Sequence, residues 1–394
     1  MGYNIPMRQK LSSWWNRLPE SWRFVLPIWL GMRLLTAIIG IGVWKIRPLP
    51  PPVGMRFYEG LEPVYLGLRG MLIGVWQRWD TIFYQIIAEQ GYSLTKISHF
   101  FPLYPLTARV TARLTGLETL EAMVLVSTLA YLAALVLLYV LLADTFDTTI
   151  ARRGVLALAV FPSSFFLFAL YPHGMELALI LASVWLARKR RWLGCALTAL
   201  LAGLTHSTAL PLSLILLVEA VRFIRQQTHP WRWAVLSVAG MPALGIGLFW
   251  AWRIAQGFPS IPEVIAREFF RYPTPPWENL LKWLVLLPQH LPAPDWIINS
   301  VALILVVWSL LWGWKKIPAS WLTYQVLVLL MTLGLGDARD PLYSLNRYIL
   351  ASFPLFVALG WWADTPLKRL LGFAVGVFGQ LALLAFFLLW IFVG

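Results

Sequence analysis

Long apolar runs alternate along the chain with short basic loops and with two longer polar segments. A hydrocarbon core about 30 Å thick is crossed by about 20 mostly apolar helical residues. This pattern predicts an all-α fold, a polytopic transmembrane helical bundle that forms a single integral membrane domain over residues 1–394. We expect about eleven spans, near residues 24–44, 119–143, 154–171, 173–187, 192–208, 209–224, 233–255, 296–314, 318–335, 347–362 and 370–392.

The two longer segments cover residues 45–118 and 257–295. The first contains the mixed apolar stretch from Val64 to Trp76, which is suited to a helix that lies on the membrane surface. Pro162, Pro242 and Pro354 fall inside predicted spans, where neighbouring helices are expected to satisfy the freed backbone groups.

Basic residues cluster in every second short loop, which predicts that these loops face the cytoplasm. They are Arg8, Lys10, Arg17, Arg23, Arg152, Arg153, Arg188, Lys189, Arg190, Arg191, Arg222, Arg225, Arg232, Lys315, Lys316, Lys368 and Arg369. The N-terminus is then inside, and segments 45–118 and 257–295 are the first and second non-cytoplasmic loops. We expect a multi-pass protein of a prokaryotic plasma membrane with its site on the non-cytoplasmic side.

Composition supports the membrane assignment: 59% of the residues are hydrophobic and 13% are charged, with a mean hydropathy of +0.69. Soluble domains are about 45–50% apolar and about 25% charged. The net charge of +14 comes from clusters between apolar runs, which favours topology and contact with membrane lipids over nucleic-acid binding. The single cysteine, Cys195, excludes an intrachain disulfide.

Candidate chemistry is concentrated in the stretch from Arg78 to Tyr92, Arg-Trp-Asp-Thr-Ile-Phe-Tyr-Gln-Ile-Ile-Ala-Glu-Gln-Gly-Tyr. A helix that begins at Asp80 places this acid and Tyr84 on one face, and Gly91 suits its C-terminal cap. One interpretation is that Asp80 is only a helix N-cap. The other is functional, because this acid lies at a bilayer boundary beside aromatic residues.

A second stretch, His99-Phe-Phe-Pro-Leu-Tyr-Pro-Leu106, follows closely. Together, W-D-x-x-x-Y-x-x-I-A-x-x-G-Y and F-F-P-L-Y-P-L resemble the PIG-V-type GPI mannosyltransferase family, which includes GPI mannosyltransferase 2 and bacterial relatives among the GT-C membrane glycosyltransferases. Phe161-Pro-Ser-Ser-Phe-Phe166, Asn346-Arg-Tyr348 and Phe353-Pro-Leu-Phe356 extend the resemblance along nearly the whole chain.

This resemblance implies a GT-C-like helical fold, a polyprenyl- or dolichyl-phosphate-mannose donor and a catalytic aspartate in the first outer loop, here Asp80. Two positions depart from the family pattern. Pro172-His173 stands where the family usually shows Thr-Glu, and His206 stands where it commonly places Arg. Both departures introduce a titratable imidazole.

Transfer of a sugar from a lipid phosphate to an acceptor hydroxyl needs a base, cations for the departing phosphate and an apolar groove. Asp80 is our candidate base for an inverting transfer, and Arg347 is the favoured phosphate ligand because its planar fork donates two hydrogen bonds. His206, His173 and Arg339 are weaker phosphate candidates. The residues expected to contact substrate are Arg78, Trp79, Tyr84, Tyr92, His99, Tyr104 and Tyr171.

Other interpretations stay open at this point. Arg347 also suits a residue at a helix end that extends to the interface, and each histidine suits a packed polar residue. The acceptor is a glycan, a lipid or a protein hydroxyl. The sequence identifies no cofactor other than the lipid-phosphate sugar donor; a divalent cation, if bound, would rest on Asp80 and phosphate oxygens, and no His, Cys, Asp or Glu cluster has zinc spacing. The alternative functions are a transporter or flippase for a lipid-linked sugar and a catalytically decayed relative that binds lipid.

Overall fold

A computed structural model describes residues 15–228, 230–291, 293–337 and 340–394. Most of these residues are helical. The α-helices in the first half of the chain are α1 Glu20–Ile46, α2 Pro52–Met55, α3 Gly67–Leu72, α4 Asp80–Gln90, α5 Leu103–Thr115, α6 Thr119–Thr145, α7 Thr148–Val160, α8 His173–Arg188 and α9 Trp192–Thr205.

The second half continues the same architecture. Its α-helices are α10 Leu212–Arg225, α11 Met241–Ala255, α12 Ile261–Phe269, α13 Pro276–His290, α14 Pro294–Gly313, α15 Ala319–Leu333, α16 Leu345–Tyr348, α17 Pro354–Trp362 and α18 Pro366–Leu388. Short 3-10 segments connect several of them, at Gly74–Trp76, Thr95–Ile97, Ser164–Leu167, Ser207–Ala209, Pro230–Gly240 and Ile349–Ala351.

Six helical stretches among the described residues are long and apolar enough to cross a membrane, so the protein is an integral membrane protein. They are Glu20–Ile46, Thr119–Thr145, Ser207–Arg225, Arg232–Ala255, Pro294–Gly313 and Pro366–Leu388. Each of the eleven predicted spans coincides with helix, but the other five have shorter or interrupted helices. The eleven-span prediction is therefore not confirmed.

Proline accounts for several of these interruptions. Helix α7 ends at Val160, directly before Phe161-Pro162, because the residue preceding proline is pushed out of the helical region. Pro354 and Pro242 lie in the first turns of α17 and α11, where a missing N–H costs nothing. The expectation that these prolines sit inside spanning helices is wrong for Pro162 and Pro354, at which helices stop or start. Pro242 lies in the first turn of α11 but within the candidate spanning stretch Arg232–Ala255.

The long helix α6 lies at the centre of the bundle and packs against α1, α5, α7 and α8. Its buried side chains come from all around the helix, as expected for a segment enclosed by others. Close approach between α7 and α17 depends on glycine: a Cβ at Gly360 would lie 2.9 Å from the backbone nitrogen of Gly154. Such small-residue contacts are typical of helices that pack within membranes.

The two segments predicted as outer loops are structured. Residues 45–118 hold α2 to α5, and the stretch from Val64 to Trp76 forms the short helix α3 and a 3-10 turn rather than one surface helix. Residues 257–295 hold α12, the strand β1 Arg271–Pro273 and α13. Strand β1 pairs antiparallel with β2 Leu335–Asp337. The described residues therefore contain one small two-stranded sheet that the all-α prediction did not include.

Candidate active site

Helix α4 begins at Asp80 and ends with Gly91 at its C-terminal cap (φ 78°), as predicted. The N-cap is Trp79, so the interpretation of Asp80 as a mere N-cap is wrong. Trp79 has φ 54° and ψ −131°, a backbone conformation that is strained for a residue with a side chain. Its indole Nε1 donates to the carbonyl oxygen of Phe387 (3.2 Å), and its ring contacts Phe57 and Trp390, which hold the turn in place.

The strained turn presents the carboxylate of Asp80 to Arg347. Nη1 of Arg347 donates to Oδ2 of Asp80 at 2.9 Å, and the two side chains are 9% and 21% exposed. The backbone N–H of Asp80 donates to the hydroxyl oxygen of Tyr171 (3.2 Å). No described residue hydrogen-bonds Oδ1 of Asp80, and the N-terminus of α4 favours a negative charge at this position.

Arg347 is held by a buried polar scaffold on α16. The preceding residue, Asn346, donates through Nδ2 to Oδ1 of Asn299 (2.7 Å) and to the carbonyl oxygen of Val393 (2.8 Å). The Ser163 hydroxyl donates to the Asn346 carbonyl oxygen (2.7 Å). Nη2 of Arg347 donates to the Tyr348 hydroxyl at 3.3 Å. These contacts come from four different parts of the chain, so the position of Arg347 depends on the assembled bundle.

The Asp80–Arg347 pair forms part of the wall of a cavity of about 590 Å³. Ligand pockets typically measure about 300–1,000 Å³. Six further residues from the predicted set also line it: Trp79, Tyr84, His99, Tyr171, His173 and His206. Helix α12 contributes an apolar part of the wall through Ile261, Ile265 and Phe269. The cavity thus combines the partly buried carboxylate of Asp80, the exposed carboxylate of Glu268, several cationic or titratable groups and an apolar side.

Neutral hydrogen-bonding groups flank the pair. Burial, and after it the charge of Asp80, raises the pKa of Tyr84 well above its usual value, so its hydroxyl stays protonated. Burial lowers the pKa of His99 to about 3, so its imidazole is neutral. Nδ1 of His99 lies 2.9 Å from the carbonyl oxygen of Lys96, which only accepts; Nδ1 therefore carries the hydrogen and Nε2 is left as an acceptor.

His173 and His206 stand over a buried carboxylate that the sequence reasoning missed. Glu176 is 1% exposed and accepts a hydrogen bond from the Thr208 hydroxyl. Its oxygens lie 3.5 Å from Nδ1 of His173 and 3.7 Å from Nδ1 of His206. The spacing of Glu176 from His173, three residues along α8, was the available signal. The ring centroids of the two histidines are 5.6 Å apart.

Three residues predicted to contact substrate are absent from the cavity wall. Arg78 is 2% exposed and donates to the carbonyl oxygens of Leu388, Gly74 and Gln77. The Tyr92 hydroxyl donates to the Phe100 carbonyl oxygen, and the Tyr104 hydroxyl pairs with that of Ser127. These contacts tie α4 and α5 to the bundle. Arg339 lies outside the described residues.

The cavity wall also contains residues that the sequence analysis did not select, including Arg271, Lys96, Tyr343 and Tyr348. Tyr348 belongs to the Asn-Arg-Tyr motif, so that motif was the available signal. The other three carry no local pattern that marks them. Among the described residues, no group of three or more His, Cys, Asp or Glu side chains is arranged to hold a metal ion.

The sequence matches no protein-family model and no curated protein. The structure is similar to crystal structures of the Archaeoglobus fulgidus oligosaccharyltransferase. The complex with Zn and sulfate is 13% identical with a TM-score of 0.43, over 92% of this chain and 53% of that one. The form tethered to an acceptor peptide with the NVT sequon is 12% identical with a TM-score of 0.40, over 91% and 54%. The chain spans about half the length of these proteins, and similarity this low defines neither fold nor function.

Proposed function

We propose that the protein is a GT-C-type membrane glycosyltransferase that moves a mannose or related sugar from a polyprenyl-phosphate carrier to an acceptor hydroxyl. The observation that carries the proposal is the carboxylate of Asp80, held by Arg347 at the wall of a cavity of about 590 Å³. Oδ2 of Asp80 is held by Arg347, and Oδ1 accepts no hydrogen bond from a described residue, so this carboxylate is oriented to accept a proton.

The proposed reaction is a single displacement. The acceptor oxygen attacks the anomeric carbon while its proton passes to Asp80. The bond between the anomeric carbon and the phosphate oxygen breaks, its electron pair goes to that oxygen, and polyprenyl phosphate leaves. Direct attack inverts the anomeric configuration. Because the transition state resembles an oxocarbenium ion, the developing charges are on the sugar ring and on the phosphate, where fixed protein charges act most strongly.

The remaining features of the cavity suit such a substrate. Helix α12 offers Ile261, Ile265 and Phe269 to an isoprenoid chain that enters from the lipid, and Trp250 on α11 extends this apolar side. The neutral groups of Tyr84 and His99 suit hydrogen bonds to sugar hydroxyls. The basic loops predict that this end of the bundle faces away from the cytoplasm.

The first test compares two substitutions on the same helix. Asp80→Asn removes the base, whereas Glu89→Gln changes an exposed acid at the far end of α4. Purified full-length protein is incubated with radiolabelled polyprenyl-phosphate mannose and a membrane lipid extract. We expect Asp80→Asn to lower the rate of product formation by about 10²–10⁴-fold, because loss of a general base has that magnitude. Glu89→Gln should keep the wild-type rate.

An Asp80→Asn rate within a few-fold of wild type would reject Asp80 as the base. The same incubation, repeated in sealed vesicles, separates the alternative functions. Movement of labelled lipid across the bilayer without product would identify a flippase. Binding without product or movement would identify a catalytically decayed protein.

A further inference from the structure

Arg271 is a buried cation on the cavity wall whose charge no described carboxylate pairs. It is 7% exposed and is the first residue of β1. Its Nε is buried without a hydrogen-bond partner, and Nη2 reaches only the carbonyl oxygen of Leu335, at 3.4 Å. The guanidinium carbon lies 4.8 Å from the ring centroid of Tyr343. None of the ion pairs between described residues includes Arg271.

The other cations of the wall are in a different situation. Arg347 is paired with Asp80, Lys96 is paired with Glu59, and Arg56 is exposed to solvent. Asp340 lies near enough for the charge of Arg271 to oppose the rise in the pKa of that carboxyl, but the two side chains form no ion pair within 4.0 Å. Burying a cation without a counter-charge is costly, so its retention beside a cavity points to an anionic ligand.

We infer that Arg271 binds the departing phosphate of the lipid carrier and that Arg347 is a positioning residue for Asp80. This inference rests on the proposed function and revises the sequence prediction, which favoured Arg347 as the phosphate ligand. Nε of Arg347 is buried without a hydrogen-bond partner, as is that of Arg271, but Nη1 of Arg347 is committed to the base and its Nη2 to Tyr348. Arg271 has no ion pair, its Nη2 makes one long hydrogen bond of 3.4 Å, and a planar guanidinium donates two hydrogen bonds to a phosphate.

The chemistry of the step requires a cation at this position. The donor is a phosphodiester with one negative charge. When the bond to the anomeric carbon breaks, its electron pair leaves with the phosphate oxygen, and the monoester product carries about 1.5 to 2 negative charges. Positive charge at the leaving phosphate therefore stabilises the transition state more than the bound donor. A cation already neutralised by Asp80 would contribute less.

The arrangement of the second outer segment supports this division of roles. Strand β1 follows directly after α12, which carries the apolar side of the cavity, so Arg271 lies where the apolar wall meets the polar wall. A polyprenyl phosphate likewise has a charged group attached to an apolar isoprenoid chain, so its two parts match the polar and apolar parts of this wall. The β1–β2 pairing fixes the backbone of Arg271.

The experiment measures binding, which needs no turnover. Full-length protein in detergent is titrated with a polyprenyl monophosphate, with uncharged polyprenol and with phosphatidic acid. The variants are Arg271→Gln, Arg271→Lys, Arg347→Gln and Arg267→Gln; Arg267 is a matched control because it is exposed on the same segment and paired with Glu263.

We expect Arg271→Gln to weaken polyprenyl monophosphate binding by at least tenfold and to leave polyprenol binding unchanged. Arg271→Lys should recover part of the loss, which separates charge from misfolding. Arg347→Gln should weaken binding by less than threefold, and Arg267→Gln should have no effect. A twofold or smaller effect of Arg271→Gln, or a larger loss in Arg347→Gln, would overturn the assignment. Equal binding of phosphatidic acid with the same dependence on Arg271 would also overturn it, since the site would then be a general lipid headgroup site.

Turnover gives a second readout that is independent of the first test. Arg271→Gln should raise the KM for the donor and lower kcat, whereas Arg347→Gln should lower kcat at nearly constant KM. If Asp80→Asn stays active, the proposed base is rejected. The titration with polyprenyl monophosphate still decides separately whether Arg271 binds phosphate.

Discussion

The coupling between Asp80 and Arg347 gives a thermodynamic prediction that a double-mutant cycle measures. Arg347→Gln leaves a carboxylate that is 21% exposed without its cation, and Asp80→Asn leaves a guanidinium that is 9% exposed without its anion. Breaking a buried pair at one side costs about 3–5 kcal/mol. We expect the Arg347→Gln variant to lie at the lower end of that range, because water reaches the remaining carboxylate.

The double variant should lose much less than the sum of the single variants, because two neutral amides remain and neither needs a counter-charge. A hydrogen bond between charged groups contributes about 1.5–3 kcal/mol, and we expect a coupling energy of that size. The measurement is equilibrium unfolding of the four proteins in one detergent, followed by the fluorescence of the 23 tryptophans.

A matched cycle at Glu263 and Arg267 provides the control. Their atoms are 2.7 Å apart, but the side chains are 42% and 69% exposed, so the coupling should be about 0–1 kcal/mol. A coupling below about 0.5 kcal/mol at Asp80 and Arg347 would refute the claim that Arg347 positions the base.

Two further substitutions test the packing and the pH response. A Cβ at Gly245 on α11 would lie 2.3 Å from the backbone oxygen of Leu200, whereas a Cβ at Gly247 meets open space. In thermal unfolding we expect Gly245→Ala to lower the free energy of unfolding by about 1–3 kcal/mol and Gly247→Ala to leave it unchanged or raise it. Equal effects of the two substitutions would contradict the close approach of α9 and α11. Burial, and after it the charge of Asp295, raises the pKa of Asp340 from 3.8 to about 7. Between these two pH values the folded protein keeps a proton on Asp340 that the unfolded chain has released, so the free energy of unfolding falls as pH rises from about 4 to 7. Asp340→Asn should therefore unfold at a higher temperature than wild type at pH 8 and at the same temperature near pH 4, and a difference that does not change with pH would contradict this.

Local signals in the sequence predicted local structure well. The helix from Asp80 with its glycine cap, and the position of nearly every apolar helix, follow from periodicity and capping chemistry. The same pattern predicted eleven spans because hydropathy measures how apolar a run of residues is and does not show whether the run forms one continuous helix. It treats a run broken by Pro162 in the same way as a continuous helix.

The site is only partly contained in such signals. The motifs selected Asp80 and Arg347 separately, but the 2.9 Å contact between them joins residues 267 positions apart, which no periodicity reveals. No sequence pattern predicts the burial of Arg271, because that burial depends on a three-residue strand in a proline-rich segment. The buried position of Glu176 depends on Thr208, 32 residues further along the chain.

The distance in sequence between Asp80 and Arg347 has a consequence for biogenesis. Helix α4 is synthesised early, whereas α16 emerges only after α14 and α15 have entered the membrane. Throughout that interval Asp80 lacks its counter-ion Arg347, and β1 lacks the strand β2 with which it pairs. Under the proposed function, the nascent chain would acquire its catalytic pair only once α16 is made, so a partially synthesised chain could not consume the lipid-linked donor.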